Sequence, residues 1–139
     1  MKNKKLYNNL DFIICKTPLR IGLFGGGSDL PSFINKKGHG HVINLTINKY
    51  VYTCVKIHSS VFNKKYRLNY FKTENVNNIK DIKNNIIRAS LRYYNIKQPL
   101  YISNISDVPS GTGLGSSGAF QVSLCKIFNK INSGIKRAI

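Results

Sequence analysis

Pro109-Ser110-Gly111-Thr112-Gly113-Leu114-Gly115-Ser116-Ser117-Gly118 lies between two differently patterned segments of the chain. Residues 100–105 before it read as a strand, and Ala119, Val122, Leu124, Cys125, Phe128 and Ile131 after it mark the apolar stripe of an amphipathic helix. Glycines let backbone N–H groups come close to a ligand, and the first turn of the following helix adds unsatisfied amides with roughly half a positive charge. Such a place binds phosphate. Ser116 and Ser117 supply hydroxyls that donate to phosphate oxygens or ligate magnesium, a hard cation that prefers oxygen and keeps most of its water.

Three phosphate loops compete for this segment. The P-loop is excluded, because no Gly-Lys-Ser or Gly-Lys-Thr occurs anywhere in the chain. Residues 113–118 formally fit GxGxxG, but the acidic residue expected about 20 positions later in a dinucleotide site would fall near Arg137-Ala138-Ile139, where none stands. The serine-rich pattern PxxxGLGSS fits at every specified position, from Pro109 to Ser117.

Working outward toward the N-terminus, residues 12–24 read as an extended stretch in which Pro18 calls for an edge position or a bulge. The stretch runs into Gly25-Gly26-Gly27-Ser28-Asp29, then into a short helix beginning at Leu30, with Ser28 or Asp29 as its cap and Lys36-Lys37-Gly38 as its end. Residues 41–48 and 50–58 predict two strands joined as a hairpin through Asn48-Lys49, and residues 66–71 a further short strand. Ile79, Ile82, Ile86, Ala89, Leu91 and Tyr93 approximate a helical period that ends near Asn95. Asp107 reads as a turn residue, and Asn132-Ser133-Gly134 should stop the last helix. The resulting order is β-α-β-β-β-α-β-α, an α+β arrangement, with tyrosines and phenylalanines expected through the core rather than gathered as a base-stacking platform.

With 139 residues, one domain can bury roughly two-thirds of its extended surface. No apolar run approaches the ~20 residues of a membrane span, and polar Asn8, Asn9 and Asp11 interrupt any secretory h-region, so a cytoplasmic protein without membrane contact is expected. Cys15, Cys54 and Cys125 are odd in number and widely spaced, which indicates reduced thiols. His39 and His41 share a strand face but have no nearby carboxylate or thiol to complete a metal shell. The net charge of +17, from 22 basic and 5 acidic residues, invites a nucleic-acid reading. The lysines are dispersed, however, and the sequence is crowded with Lys, Asn and Ile, so the basicity reads as compositional drift and argues against a nucleic-acid partner.

Residues 109–117, taken with Thr17-Pro18-Leu19-Arg20-Ile21-Gly22-Leu23-Phe24-Gly25-Gly26-Gly27-Ser28-Asp29, resemble the GHMP kinase superfamily of galactokinase, homoserine kinase and mevalonate kinase. The order of the two motifs, with Asp107-Val108-Pro109, is most similar to the bacterial sugar-kinase branch that contains heptose 7-phosphate kinase. The resemblance implies an N-terminal domain with a left-handed β-α-β crossover over residues 12–131, a frayed stretch at 1–11 and a tail at 132–139. It covers only the first part of such proteins, so a truncated chain is expected, without the C-terminal ferredoxin-like domain or the third Gly-rich motif.

The resemblance further implies ATP-dependent phosphoryl transfer to a hydroxyl of a sugar or sugar phosphate. ATP phosphates would lie against Pro109, Gly111, Gly113, Leu114, Gly115, Ser116 and Ser117, with Ser117 on Mg2+. Arg20 would stand beside the transferring phosphate as the catalytic cation, and Gly25, Gly26, Gly27, Ser28 and Asp29 would hold the sugar. The base and second magnesium ligand of several members have no counterpart, since no acidic residue follows Asp107. Two alternatives stand beside an active kinase half that needs a separately encoded C-terminal half. One is a nucleotide- or phosphosugar-binding fragment without turnover; the other is an RNA-binding domain of similar fold.

Overall fold

The computed structural model describes residues 11–59 and 61–136. The expected frayed residues 1–10 and the last three residues of the expected tail lie outside them. Asp11 is anchored, its carbonyl accepting the Ile57 N–H at 2.8 Å.

The elements are β1 (Phe12–Phe24), α1 (Pro31–Lys37), β2 (Ile43–Ile57), β3 (Tyr66–Asn69), β4 (Thr73–Val76), a 3-10 turn (Ile79–Asp81), α2 (Asn85–Tyr93), β5 (Leu100–Ser106) and α3 (Ser116–Lys136). One sheet runs in the order β1-β2-β5-β3-β4. β3 and β5 pair in parallel and the other neighbours antiparallel, so β3 and β5 are joined by a crossover through β4 and α2.

Alternation sets the two faces of the sheet. Leu19, Val51, Val55, Leu68, Leu100 and Ile102 point to one face and are buried there with Leu91, Phe120, Leu124, Ile127 and Phe128 of the helices. α3 lies against β1 and β2, and α2 against α3. The aromatic residues divide between the faces, contrary to the expectation of a purely core role. Tyr66, Phe120 and Phe128 are buried, while Phe12 is exposed on the opposite side. By register that side also carries Lys16 opposite Tyr52, and Arg67 beside Tyr101. There the Lys16 ammonium sits 3.7 Å from the Tyr50 ring centre.

β1 does occupy an edge, and its pairing with β2 slips beside Pro18, which cannot donate to a ladder. Pro18 faces Tyr50 and Arg20 faces Thr46, leaving Leu19 alone opposite Ile47, Asn48 and Lys49. The expected hairpin at Asn48-Lys49 is therefore a correction: β2 is one strand that bulges there. Neither residue has the positive φ that a tight primed turn requires; Asn95, at φ 51°, is the non-glycine with positive φ among the described residues.

Three further boundaries differ from the sequence pattern. The strand expected to reach residue 71 turns back after Asn69, and β4 was not foreseen. The helix expected from Ile79 begins at Asn85, with the Asn84 side chain accepting the Ile87 N–H at 3.1 Å. The Glu74 carboxylate has claimed the backbone N–H groups of Lys83, at 2.7 Å, and Asn84, at 3.2 Å, and holds that stretch extended. α3 continues through the expected stop to Lys136. Asn132 donates its side-chain amide to the Tyr94 carbonyl at 2.9 Å, and the Ser133 hydroxyl donates to the Asn129 carbonyl at 2.8 Å, so both polar residues are used inside the helix.

Candidate functional site

The strand-to-helix loop is built at its base by Asp107. Its N–H donates to the Tyr50 carbonyl at 3.0 Å and its carboxylate accepts the Tyr50 N–H at 2.9 Å, extending the β2–β5 ladder by one pair with a side chain in place of a carbonyl. The main chain is thereby released to turn outward. Gly111, Gly113 and Gly115 follow at φ 86°, 73° and 72°, a backbone region that side chains disfavour. A Cβ added to Gly111 or Gly113 would meet nothing within 4 Å, so the loop has open space above it. Ser116 opens α3, whose first turn holds no acidic residue, and the Ala119 N–H closes that turn onto the Gly115 carbonyl at 3.0 Å.

Arg20 meets this loop. Its N–H donates to the Leu114 carbonyl at 3.1 Å, while Arg20 stays in register with Thr46 in the sheet-edge strand β1. Its side chain runs along Gly115, where a Cβ would stand 3.0 Å from Arg20 Cγ and 3.2 Å from Nε. The structure thus brings together two motifs separated by about ninety residues. Gly115→Ala is expected to displace the guanidinium, because the arginine stem is the part that can yield. The strain at positive φ costs about 1–2 kcal/mol, so the variant stays folded in a thermal melt while any stabilisation by nucleotide falls sharply.

Ser110, Ser116 and Ser117 also border an open cleft of about 310 Å³ whose far wall is Tyr70, Phe71, Asn84 and Asn104. That wall was missed in the sequence, because it depends on the unforeseen β3–β4 hairpin. Glu74 holds it in place. The carboxylate accepts the Tyr70 hydroxyl besides the two N–H groups already named. Burial alone would raise the Glu74 pKa, but these donors outweigh it and hold the carboxyl below its usual value. Burial and the adjacent carboxylate push Tyr70 up to about 12. Beneath Asn104, Thr53 donates to its side-chain oxygen at 3.1 Å and lies 2.6 Å from the buried Ser123 hydroxyl, tying the cleft floor to α3.

The glycine-rich turn after β1 is arranged differently. A Cβ on Gly25 would stand 1.8 Å from the His41 carbonyl oxygen, so this glycine admits the chain's own backbone. Gly26 and Gly27 face open space. Ser28 does not cap α1: its hydroxyl donates to the His41 carbonyl at 2.8 Å. Asp29 is exposed, and the cap position falls to Leu30, with Pro31 in the first turn.

Residues 77–138 match the family described as GHMP kinases N terminal domain, and the chain is 34% identical over 127 residues to D-glycero-alpha-D-manno-heptose 7-phosphate kinase of Campylobacter jejuni. Over residues 77–138 the chain is similar to the GHMP kinase N-terminal domain. The alignment with the heptose kinase takes in 81% of this chain and 36% of that relative. A D-glycero-D-manno-heptose 1-phosphate kinase from Bacteroides thetaiotaomicron superposes with a TM-score of 0.70 at 26% identity, over 86% of this chain and 42% of that one. Mevalonate kinase of Methanococcus jannaschii shares the fold, with a TM-score of 0.63 at 22% identity over 89% of this chain and 41% of its own. The chain therefore spans about two-fifths of the length of these relatives.

Proposed function

We propose that this domain is the nucleotide-binding part of an ATP-dependent sugar kinase whose acceptor is a heptose already carrying a phosphate. The observation that carries the reading is the contact of Arg20 with the Gly115 segment at the head of α3. Phosphoryl transfer asks mainly for in-line positioning and positive charge around the transferring group. The loop amides and the α3 N-terminus would cradle the ATP phosphates, and Arg20 would neutralise charge that develops as the phosphoryl group moves. The open space above Gly111 and Gly113 fits a bulky anion that approaches the backbone.

Magnesium, when bound through those phosphates, supplies further charge neutralisation. The Ser117 hydroxyl is exposed at the start of α3 and would be this domain's ligand to it. Among the described residues no group of three or more His, Cys, Asp or Glu side chains gathers as a metal site, which suits an ion held chiefly by phosphate and water. The carboxylates of Glu74 and Asp107 are committed to backbone N–H groups. Asp29 at the β1 turn would hold sugar hydroxyls, as the resemblance implies, with Gly26 and Gly27 open beside it. Both alternatives named from the sequence differ from this reading in what they bind or turn over.

A thermal melt of the chain with and without magnesium-ATP tests the proposal. A ligand bound to the folded state alone, at 100 times its dissociation constant, adds about 2.7 kcal/mol, which raises Tm by roughly 10 °C for a domain of this size. An unchanged midpoint at saturating nucleotide contradicts the reading.

A further inference from the structure

We propose that the hollow between the Gly25–Ser28 turn and the His39–His41 segment is a subsite for a phosphate group carried by the sugar and not transferred. The inference rests on the sugar-kinase reading above and names a second anion site at the acceptor end. The hollow holds about 440 Å³ and is bordered by Ser28, Phe33, Lys37, His39 and His41.

Its walls are fixed by contacts between backbones. A Cβ on Gly40 would stand 1.7 Å from the Ser28 carbonyl oxygen, the counterpart of the Gly25 contact with His41. Glycine is thus required on both sides of the same junction, and the Ser28 hydroxyl bonds across it to the His41 carbonyl at 2.8 Å. Residues 39–41 are pressed against the turn that the resemblance assigns to the sugar. His39 and His41, two apart, point to one side, with ring centres 5.3 Å from each other in an edge-to-face arrangement.

The chemistry of the lining selects the ligand. Two imidazoles present N–H donors, and Lys37, in the last turn of α1, presents an ammonium. No carboxylate borders the hollow, although Asp29 stands next to Ser28 in sequence. Neutral sugar hydroxyls are usually held by a mixture of donors and carboxylate or carbonyl acceptors. A donor-rich, cationic pocket without a carboxylate suits a phosphate monoester, whose oxygens accept from every side. The fold itself makes little use of the two imidazoles, since both histidines lie outside the core and neither caps a helix.

The chain contains three histidines, His39, His41 and His58. His58 is buried, its ring 5.0 Å from that of Phe62, and it serves as an internal control. Imidazole signals would be followed by NMR on histidine-labelled protein at constant pH and ionic strength, during titration with heptose 7-phosphate and, separately, with unphosphorylated heptose. The expected result is saturable movement of the His39 and His41 signals with the phosphorylated sugar alone, His58 staying in place. Lys37→Gln should weaken that response about tenfold, the loss of one charge-assisted hydrogen bond. Still signals for His39 and His41, or equal movement of all three, would overturn the subsite, the latter meaning anion uptake by a basic surface. The magnesium-ATP melt on the same sample separates the two ideas: a raised midpoint with no histidine response sinks the subsite alone, and a histidine response with no change of midpoint sinks the nucleotide reading alone.

Discussion

Gly25→Ala is expected to destabilise the domain by roughly 2–5 kcal/mol, adding the strain of a side chain at positive φ to a steric clash. The glycine sits at φ 76°, and its added Cβ would lie 1.8 Å from a carbonyl oxygen of the main chain. No side-chain rotation relieves such a contact; the β1 turn and the segment before β2 must move apart. Gly27→Ala is the control. Its φ is 90°, but nothing lies within 4 Å of the new methyl, so the strain stands alone, at about 1–2 kcal/mol. Urea unfolding of both variants measures the difference. Equal losses would mean that the Gly25 junction does not hold the segment in place.

Glu74→Ala should cost about 1–3 kcal/mol, because a hydroxyl and two N–H groups at a partly buried junction lose their common acceptor. Glu74 is 9% exposed and serves the Tyr70 hydroxyl and two backbone N–H groups. The loss frees the β3–β4 hairpin from the stretch leading into α2, so the wall of the cleft loosens together with the fold. The pH dependence follows from the directions of the shifts. The Glu74 pKa is lowered from 4.5, so its contribution is complete above that value and disappears as pH falls through the lower folded value. Tyr70, raised from 10.0 to about 12, contributes below pH 10 and loses that contribution as pH climbs toward 12. Stability of the wild type minus that of Glu74→Gln, followed from pH 7 into acid, should shrink below about pH 4.5. A difference that stays constant with pH would show that the carboxylate is not the anchor.

These effects also mark what the sequence reveals and what it hides. The β1 strand, its turn and the glycine-serine loop were legible because each is dictated locally: alternation for the strand, Pro18 for the edge, clustered glycines for the turns. The string of elements came out in the right order partly by compensation. One strand was divided at Asn48-Lys49 and the β4 strand was overlooked, which left the count unchanged. The division at Asn48-Lys49 and the early start expected for α2 both concern residues whose conformation is set from outside the local pattern. Asn48 and Lys49 stay in a strand because β2 bulges there while its pairing with β1 continues on both sides, and Lys83 and Asn84 stay out of the helix because Glu74 of β4 binds their N–H groups. No local pattern carries that information.

The candidate site divides in the same way. Family resemblance placed Arg20 and the glycine-serine loop together, and the contact is visible in the structure: the Arg20 N–H is given to Leu114 and its side chain runs along Gly115. Tyr70, Phe71 and Asn104 could not have been selected, since two aromatic residues at the end of one expected strand and an asparagine within another have ordinary structural explanations. Gly25 shows the reverse. A glycine beside a proposed sugar site reads as room for ligand, whereas the space belongs to the His41 carbonyl.

The central claim is that Arg20 and the Gly111–Ser117 loop form one phosphate site. Amide and arginine Nε NMR spectra recorded during a magnesium-ATP titration test it most directly. The account predicts that Gly111, Gly113, Gly115 and Arg20 Nε move together along one saturation curve. Movement that leaves those four signals still, or that is spread evenly over lysine-bearing surfaces and vanishes with added salt, would contradict it.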